Sequence, residues 1–276
     1  ILVLKIKPGG LMYYQHIKNI STVLFLTFSI FFSACQDEPA RKYIEWGSAN
    51  KLADELIKRG RFHHQNAEWH MAYSYFKAAV DLDSTNFASY VVLAWYTPSG
   101  EIKNNHIAKA KKFVEGKNET SKLFVSTLDI GGGEGAIEKW RDAWSEMHKI
   151  EPEGRFIHSS YASTRPTTQE QIDEYQILLE KFKSTDTSNG KSYAHLLNSL
   201  GYAYYSLDQK ESAKKYFEEY VEVYPGSNSY DSMGEFYYYE KDYENSLKYY
   251  KKSLEHYSQS LSGNDKVREL ESLLKK

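Results

Sequence analysis

Side chains able to bind a metal crowd one short stretch: His63, His64, Glu68 and His70. His64 and Glu68 stand four apart and share a face if a helix has already begun there. A zinc site needs three or four convergent ligands with supporting partners. These four read instead as exposed turn residues between two helices, so no metal is expected. The glycine-rich run 131–135 precedes a helix, whose N-terminus could hold an anion. The Gly-Lys-Ser/Thr of a phosphate loop is absent, and the run reads as an inter-helix turn. No Gly-x-Ser-x-Gly occurs, and the carboxylates are scattered over helix faces. Neither an enzyme nor a cofactor is expected. The chemistry that remains is attachment, at Cys35, and surface recognition, for which the chain carries 24 tyrosines.

Cys35 is the single cysteine, so no intramolecular disulfide is possible. It ends a stretch with the layout of a secretory signal: Lys18 in a short polar region, an apolar run from Val23 to Phe32, then the small residues Ser33 and Ala34. The run is shorter than the roughly 20 residues a membrane-spanning helix needs. Translation is expected to start at Met12. Ser33-Ala34-Cys35 resembles the lipobox of bacterial lipoproteins, although Phe32 stands where Leu is favoured. That resemblance implies removal of residues 1–34, lipidation of Cys35 and a tether over 35–42. Gln36, with the acidic pair Asp37 and Glu38 behind it, resembles lipoproteins of the Bacteroidota. The expected location is the cell envelope, anchored by lipid to the outer membrane on its periplasmic or outer face.

Positioning elements show best near the C-terminus, where two stretches carry matching residues at matching offsets. Leu197, Leu200, Gly201 and Tyr204 lie on one helical face, followed by Ala213, Phe217 and Pro225. Tyr230, Met233, Gly234 and Tyr237 repeat the pattern, followed by Ser246, Tyr250 and Ser253. The glycines are 33 positions apart, and each leads the small residue of the next helix by 12. Small residues at both places let two antiparallel helices cross closely, with Phe217 or Tyr250 filling the space beside the crossing. Pro225 ends the second helix. A fixed period of this size predicts a stacked helical array.

The pattern resembles the tetratricopeptide repeat, clearly over 194–226 and 227–258. Tyr220 departs from it where a small residue is usual. A looser copy has Gly60, Ala72, Phe76 and Ala79, with Arg59 and His63 at positions that prefer Leu and Tyr. The resemblance implies an all-α, right-handed solenoid of five to six antiparallel pairs over 43–276. Expected pairs are 43–62 with 67–82, 86–97 with 104–115, 119–129 with 134–150, 154–163 with 168–183, 191–206 with 209–223, and 228–240 with 242–257. A capping helix at 264–275 is expected to begin at Asn264. Whether 85–190 forms true repeats or divergent pairs stays open.

In this family the first helix of each pair lines a concave groove. The repeat offsets then place His195, Asn198, Tyr202 and Tyr205 on it, followed by Asn228, Asp231, Glu235, Tyr238 and Tyr239. Tyr202 and Asp231 depart from the basic and amide residues of repeats that clamp a C-terminal carboxylate. A net charge of −2 supplies no basic excess to neutralise phosphates, so nucleic acid is not the expected partner. The expected function is a membrane-anchored scaffold that holds a protein or peptide. The alternative is a glycan-binding lipoprotein working beside an outer-membrane transporter.

Overall fold

Helices begin where the sequence supplies a cap. Asn50, Asn86, Asn118, Thr167, Asp242 and Ser260 each accept a backbone N–H from the turn that follows. Each satisfies one donor that a helix start leaves unpaired. The computed structural model describes residues 43–275; the expected signal segment, Cys35 and the tether lie outside the described residues.

The helices are α1 (Lys51–Gln65), α2 (Trp69–Leu82), α3 (Phe87–Tyr96), α4 (Glu101–Phe113), α5 (Glu119–Ser126), α6 (Ala136–Ile150), α7 (Arg155–Ser163), α8 (Thr168–Thr185), α9 (Ala194–Ser206), α10 (Lys210–Val223), α11 (Ser227–Tyr239), α12 (Tyr243–His256) and α13 (Leu261–Leu273). A 3-10 turn at Thr127–Asp129 follows α5. No strand occurs among the described residues. Successive helices pair α1 with α2 through α11 with α12, and α13 packs on α12. The fold is an all-α solenoid of helix pairs. No helix among the described residues is long and apolar enough to cross a membrane.

Several helix ends shift by two or three residues from the sequence expectation, and two boundaries differ for a visible structural reason. Residues 43–50 are not helical. Ile44 and Trp46 are buried while Tyr43, Glu45 and Gly47 are exposed, the period of two of an extended chain. Trp46 enters the core against Phe124 and Phe156, with ring centroids 5.1 and 5.2 Å away. The backbone of this segment is held from outside: Asn86 Nδ2 donates to Trp46 O at 2.8 Å, and Glu45 N donates to Ser121 Oγ at 3.0 Å. The last helix is capped by Ser260, not Asn264. Asn264 sits in the first turn and sends its amide back to Ser258 O and Ser260 O.

Three apolar clusters run along the array. The first joins Trp46, Phe76, Leu93, Phe124 and Phe156. The second is built by Leu178, Phe182, Leu196, Leu200 and Tyr220. The third holds Ala213, Phe217, Met233 and Phe236. The array curls far enough that the turn from α1 to α2 reaches the turn from α10 to α11, 156 residues away, where Tyr224 Oη donates to Glu68.

Candidate functional site

The C-terminal repeats are set by their helix crossings. Leu197, Leu200, Ala213 and Phe217 are buried. A Cβ on Gly201 would lie 2.6 Å from the Phe217 ring, and one on Gly234 would lie 3.0 Å from Tyr250. The second crossing also carries hydroxyls: Ser246 Oγ donates to Gly234 O at 2.8 Å, and Ser253 Oγ donates to Ser227 O at 2.8 Å. Tyr204 stacks on Tyr216 and accepts from Gln176 Nε2 at 2.6 Å. Tyr237 stacks on Tyr249. Pro225 is exposed in the turn after α10.

The nine residues assigned to the groove fall into three environments. His195 is 8% exposed, lies 3.3 Å from Ser159 Oγ, and is pushed down to about 4 by burial and then by the charge of Arg155. It is a neutral core histidine. Asn198 is half-buried, and its Oδ1 has no hydrogen-bond partner among the described residues.

The tyrosines reach across repeats. Tyr202 Oη donates to Glu235 at 2.6 Å, Tyr205 Oη to Glu240 at 3.0 Å, and Tyr238 Oη to Glu269. Tyr239 Oη donates to Glu235 at 3.0 Å within its own helix. The three partners across repeats lie 31 to 35 residues along the chain, about one repeat, so Tyr202 and Tyr205 bond to the following pair and Tyr238 to the last helix. These acceptors were not singled out in the sequence, although an offset of one period was the available signal. Tyr202 and Tyr239 keep exposed rings.

Asn228 and Asp231 face a different surface. Asn228 Nδ2 donates to the Tyr220 hydroxyl at 3.1 Å. Burial, and then the charge of Glu235, push Asp231 up to about 6. Both line a cleft of about 610 Å³ whose other wall is the start of α2, with Glu68, Trp69 and His70.

This seam explains the histidine-rich stretch. Glu68 is 7% exposed, its Oε2 2.6 Å from His63 Nδ1 and 2.7 Å from the Tyr224 hydroxyl. Burial raises its carboxyl, but the bonds from His63 and Tyr224 outweigh that and hold it below its ordinary value. Phe62 meets Tyr224 edge-on, and His70 stacks on Tyr257 with centroids 3.6 Å apart. His64 bonds the Tyr96 hydroxyl and is pushed down to about 4 by burial and then by Arg61. The expectation of exposed turn residues is thus corrected: His63, His64 and Glu68 are drawn inward because the turn packs on distant helices. Among the described residues, no group of three or more His, Cys, Asp or Glu is placed to hold a metal. A second cleft, about 570 Å³, is walled by His64, Trp69, His70, Tyr73, Trp95 and Tyr96.

The tetratricopeptide repeat family model matches residues 194–227 and 227–256. Similar solved structures include the Cut9 and Hcn1 hetero-tetramer of APC/C, at 15% identity and a TM-score of 0.48, over 79% of this chain and 45% of that one. A tetratricopeptide repeat protein of Parabacteroides merdae matches at 13% identity and a TM-score of 0.40, over 79% of this chain and 98% of that one. PilF of Pseudomonas aeruginosa matches at 15% and 0.39, over 81% and 90%. The chain therefore spans less than half of the first of these structures. A comparison with curated proteins found no match. Two tetratricopeptide repeats are thus identified within the helical array.

Proposed function

We propose that the chain is a lipid-anchored scaffold of the bacterial envelope, attached through Cys35, whose repeat array holds a protein or peptide. One observation carries the binding half of this reading: the array presents exposed aromatic rings on supports fixed from behind. Tyr202 and Tyr239 keep exposed rings while their hydroxyls are tied to Glu235, and Trp69 is 52% exposed at the rim of both clefts. Rings already immobilised lose little entropy on contact, and aromatic residues are enriched where binding energy concentrates. The anchoring half rests on the signal layout that ends at Cys35.

The test is a crosslinked pull-down from native envelope, comparing the intact chain with Cys35→Ser. A defined protein recovered with the intact chain and reduced with the variant supports a tethered scaffold. Retention of polysaccharide without protein would replace this reading by the glycan-binding one.

A further inference from the structure

Cations of this chain already cover many of its aromatic rings. Lys109 lies over Tyr90, Lys183 over Tyr193, Lys252 over Tyr230, and Lys266 over Tyr238 at 3.7 Å from the ring centroid. The wall made by Trp69, Tyr73, Trp95 and Tyr96 has no Lys or Arg over it among the described residues. This wall continues into the larger cleft, since Trp69 and His70 line both. The larger cleft is lined by two carboxylates, Glu68 and Asp231, and by no Lys or Arg. Glu68 is engaged by His63 and Tyr224. Asp231 accepts no hydrogen bond from any described residue, and Glu235 stands one helical turn away.

We propose that this composite cleft takes a basic side chain, lysine or arginine, from a bound peptide. The charge lies against Asp231, and the side chain's stem and cation lie along the aromatic wall. The proposal rests on the scaffold reading and names the chemistry of its partner. A cation over an indole or phenol face is attracted by the ring's quadrupole. A half-buried carboxylate without a counter-charge selects a cation over an anion or a neutral group, because water screens it weakly. His70 supplies no compensating charge at neutral pH: burial lowers its pKa more than Glu68 raises it. A neutral sugar would also stack on the aromatic wall, but it would leave Asp231 uncompensated.

Fluorescent hexa-arginine, hexa-lysine, hexa-glutamate and glycine-serine hexapeptides, titrated against the full chain in a neutral detergent, test this directly. The two basic peptides are expected to bind, more weakly at high salt. Asp231→Asn and Trp69→Leu should each weaken them about ten-fold. Asp231→Glu and Trp69→Phe should restore most of the affinity, and Glu115→Gln, exposed beyond the far end of α4 and lining neither cleft, should change nothing. Circular dichroism checks that each variant is folded. Failure of the basic peptides to bind, or equal affinity in Asp231→Asn and Trp69→Leu, overturns the proposal. So does equal binding of hexa-glutamate. Capture of a native protein partner that survives both substitutions removes the cationic cleft and leaves the scaffold; capture of no protein removes both.

Discussion

Replacing Gly201 by alanine separates two opposing effects in one methyl group. Alanine in a helix interior is favoured over glycine by about 0.8–1.0 kcal/mol. Against this, the new Cβ would stand 2.6, 2.7 and 2.8 Å from three carbons of the Phe217 ring. That is roughly 0.9 Å inside the ~3.5 Å at which carbon contacts become favourable. The ring has nowhere to retreat: it is 1% exposed, with Tyr202 edge-on at 5.0 Å and Phe236 at 5.9 Å. Overpacking costs about 1–3 kcal/mol; with all three contacts under 3.0 Å the upper part of that range applies, about 2–3 kcal/mol, so the net loss should be about 1–2 kcal/mol. For a chain of this size that lowers Tm by roughly 2–8 °C. Gly234→Ala meets Tyr250 at 3.0 Å and should lose less than half as much. Thermal and urea unfolding followed by circular dichroism measure both. Phe217→Leu should make the Gly201→Ala change cheaper than it is alone. Gly201→Ala as stable as the parent, or less damaging than Gly234→Ala, would refute the close-crossing argument.

The phenol–carboxylate links between repeats should couple measurably: Tyr202→Phe and Glu235→Gln in a double-mutant cycle are expected to interact by about 0.5–1 kcal/mol, as an exposed charge-assisted bond does. Asp231, raised to about 6, holds its proton more tightly folded than unfolded, so stability is fullest below its ordinary value of 3.8 and falls as pH rises through 6. Asp231→Asn should therefore add about 1–2 kcal/mol near neutral pH and nothing at about pH 3 and below, read from unfolding midpoints across pH. His195 runs the other way. Neutral when folded and held to about 4, it takes up a proton on unfolding, so stability falls as pH drops from 6.5 towards 4, and His195→Gln should flatten that fall. Glu68→Ala strips Tyr224 and His63 of their acceptor at a cost of about 1–3 kcal/mol. It should speed amide exchange at both 66–69 and 224–227, and a change confined to the first turn would mean the seam does not hold.

Local spacing made the C-terminal repeats legible. Leu197, Leu200, Gly201 and Tyr204 fall on one face whatever surrounds them, and the offset of 12 to Ala213 follows from the length of a helical hairpin. Gly60, Ala72 and Phe76 were readable for the same reason, with a Cβ on Gly60 meeting Phe76 at 3.1 Å. The departures at His63 and Tyr220 were visible, but their causes were not. His63 stacks on Tyr75 and faces Glu68, whose own position depends on Tyr224, far along the chain. Tyr220 is accommodated because Asn228 donates to its hydroxyl and its ring joins the second core. Offset arithmetic placed His195 on the groove side because it assumes every repeat has an ideal neighbour. Here α7 and α8 supply Ser159 and Phe182 against it instead. The extended segment 43–50 was missed because Ile44 and Trp46 are apolar in either period, and only their burial on one side distinguishes the two.

Site-specific photocrosslinking in the native envelope tests the scaffold claim most directly. A photoreactive residue is placed in turn at Trp69, at Tyr239 and at Lys112, which is exposed at the C-terminal end of α4 and lines neither cleft. A defined protein adduct is expected from positions 69 and 239 and none from 112. Adducts of equal yield at all three positions, or no protein adduct at 69 and 239, would contradict the scaffold claim.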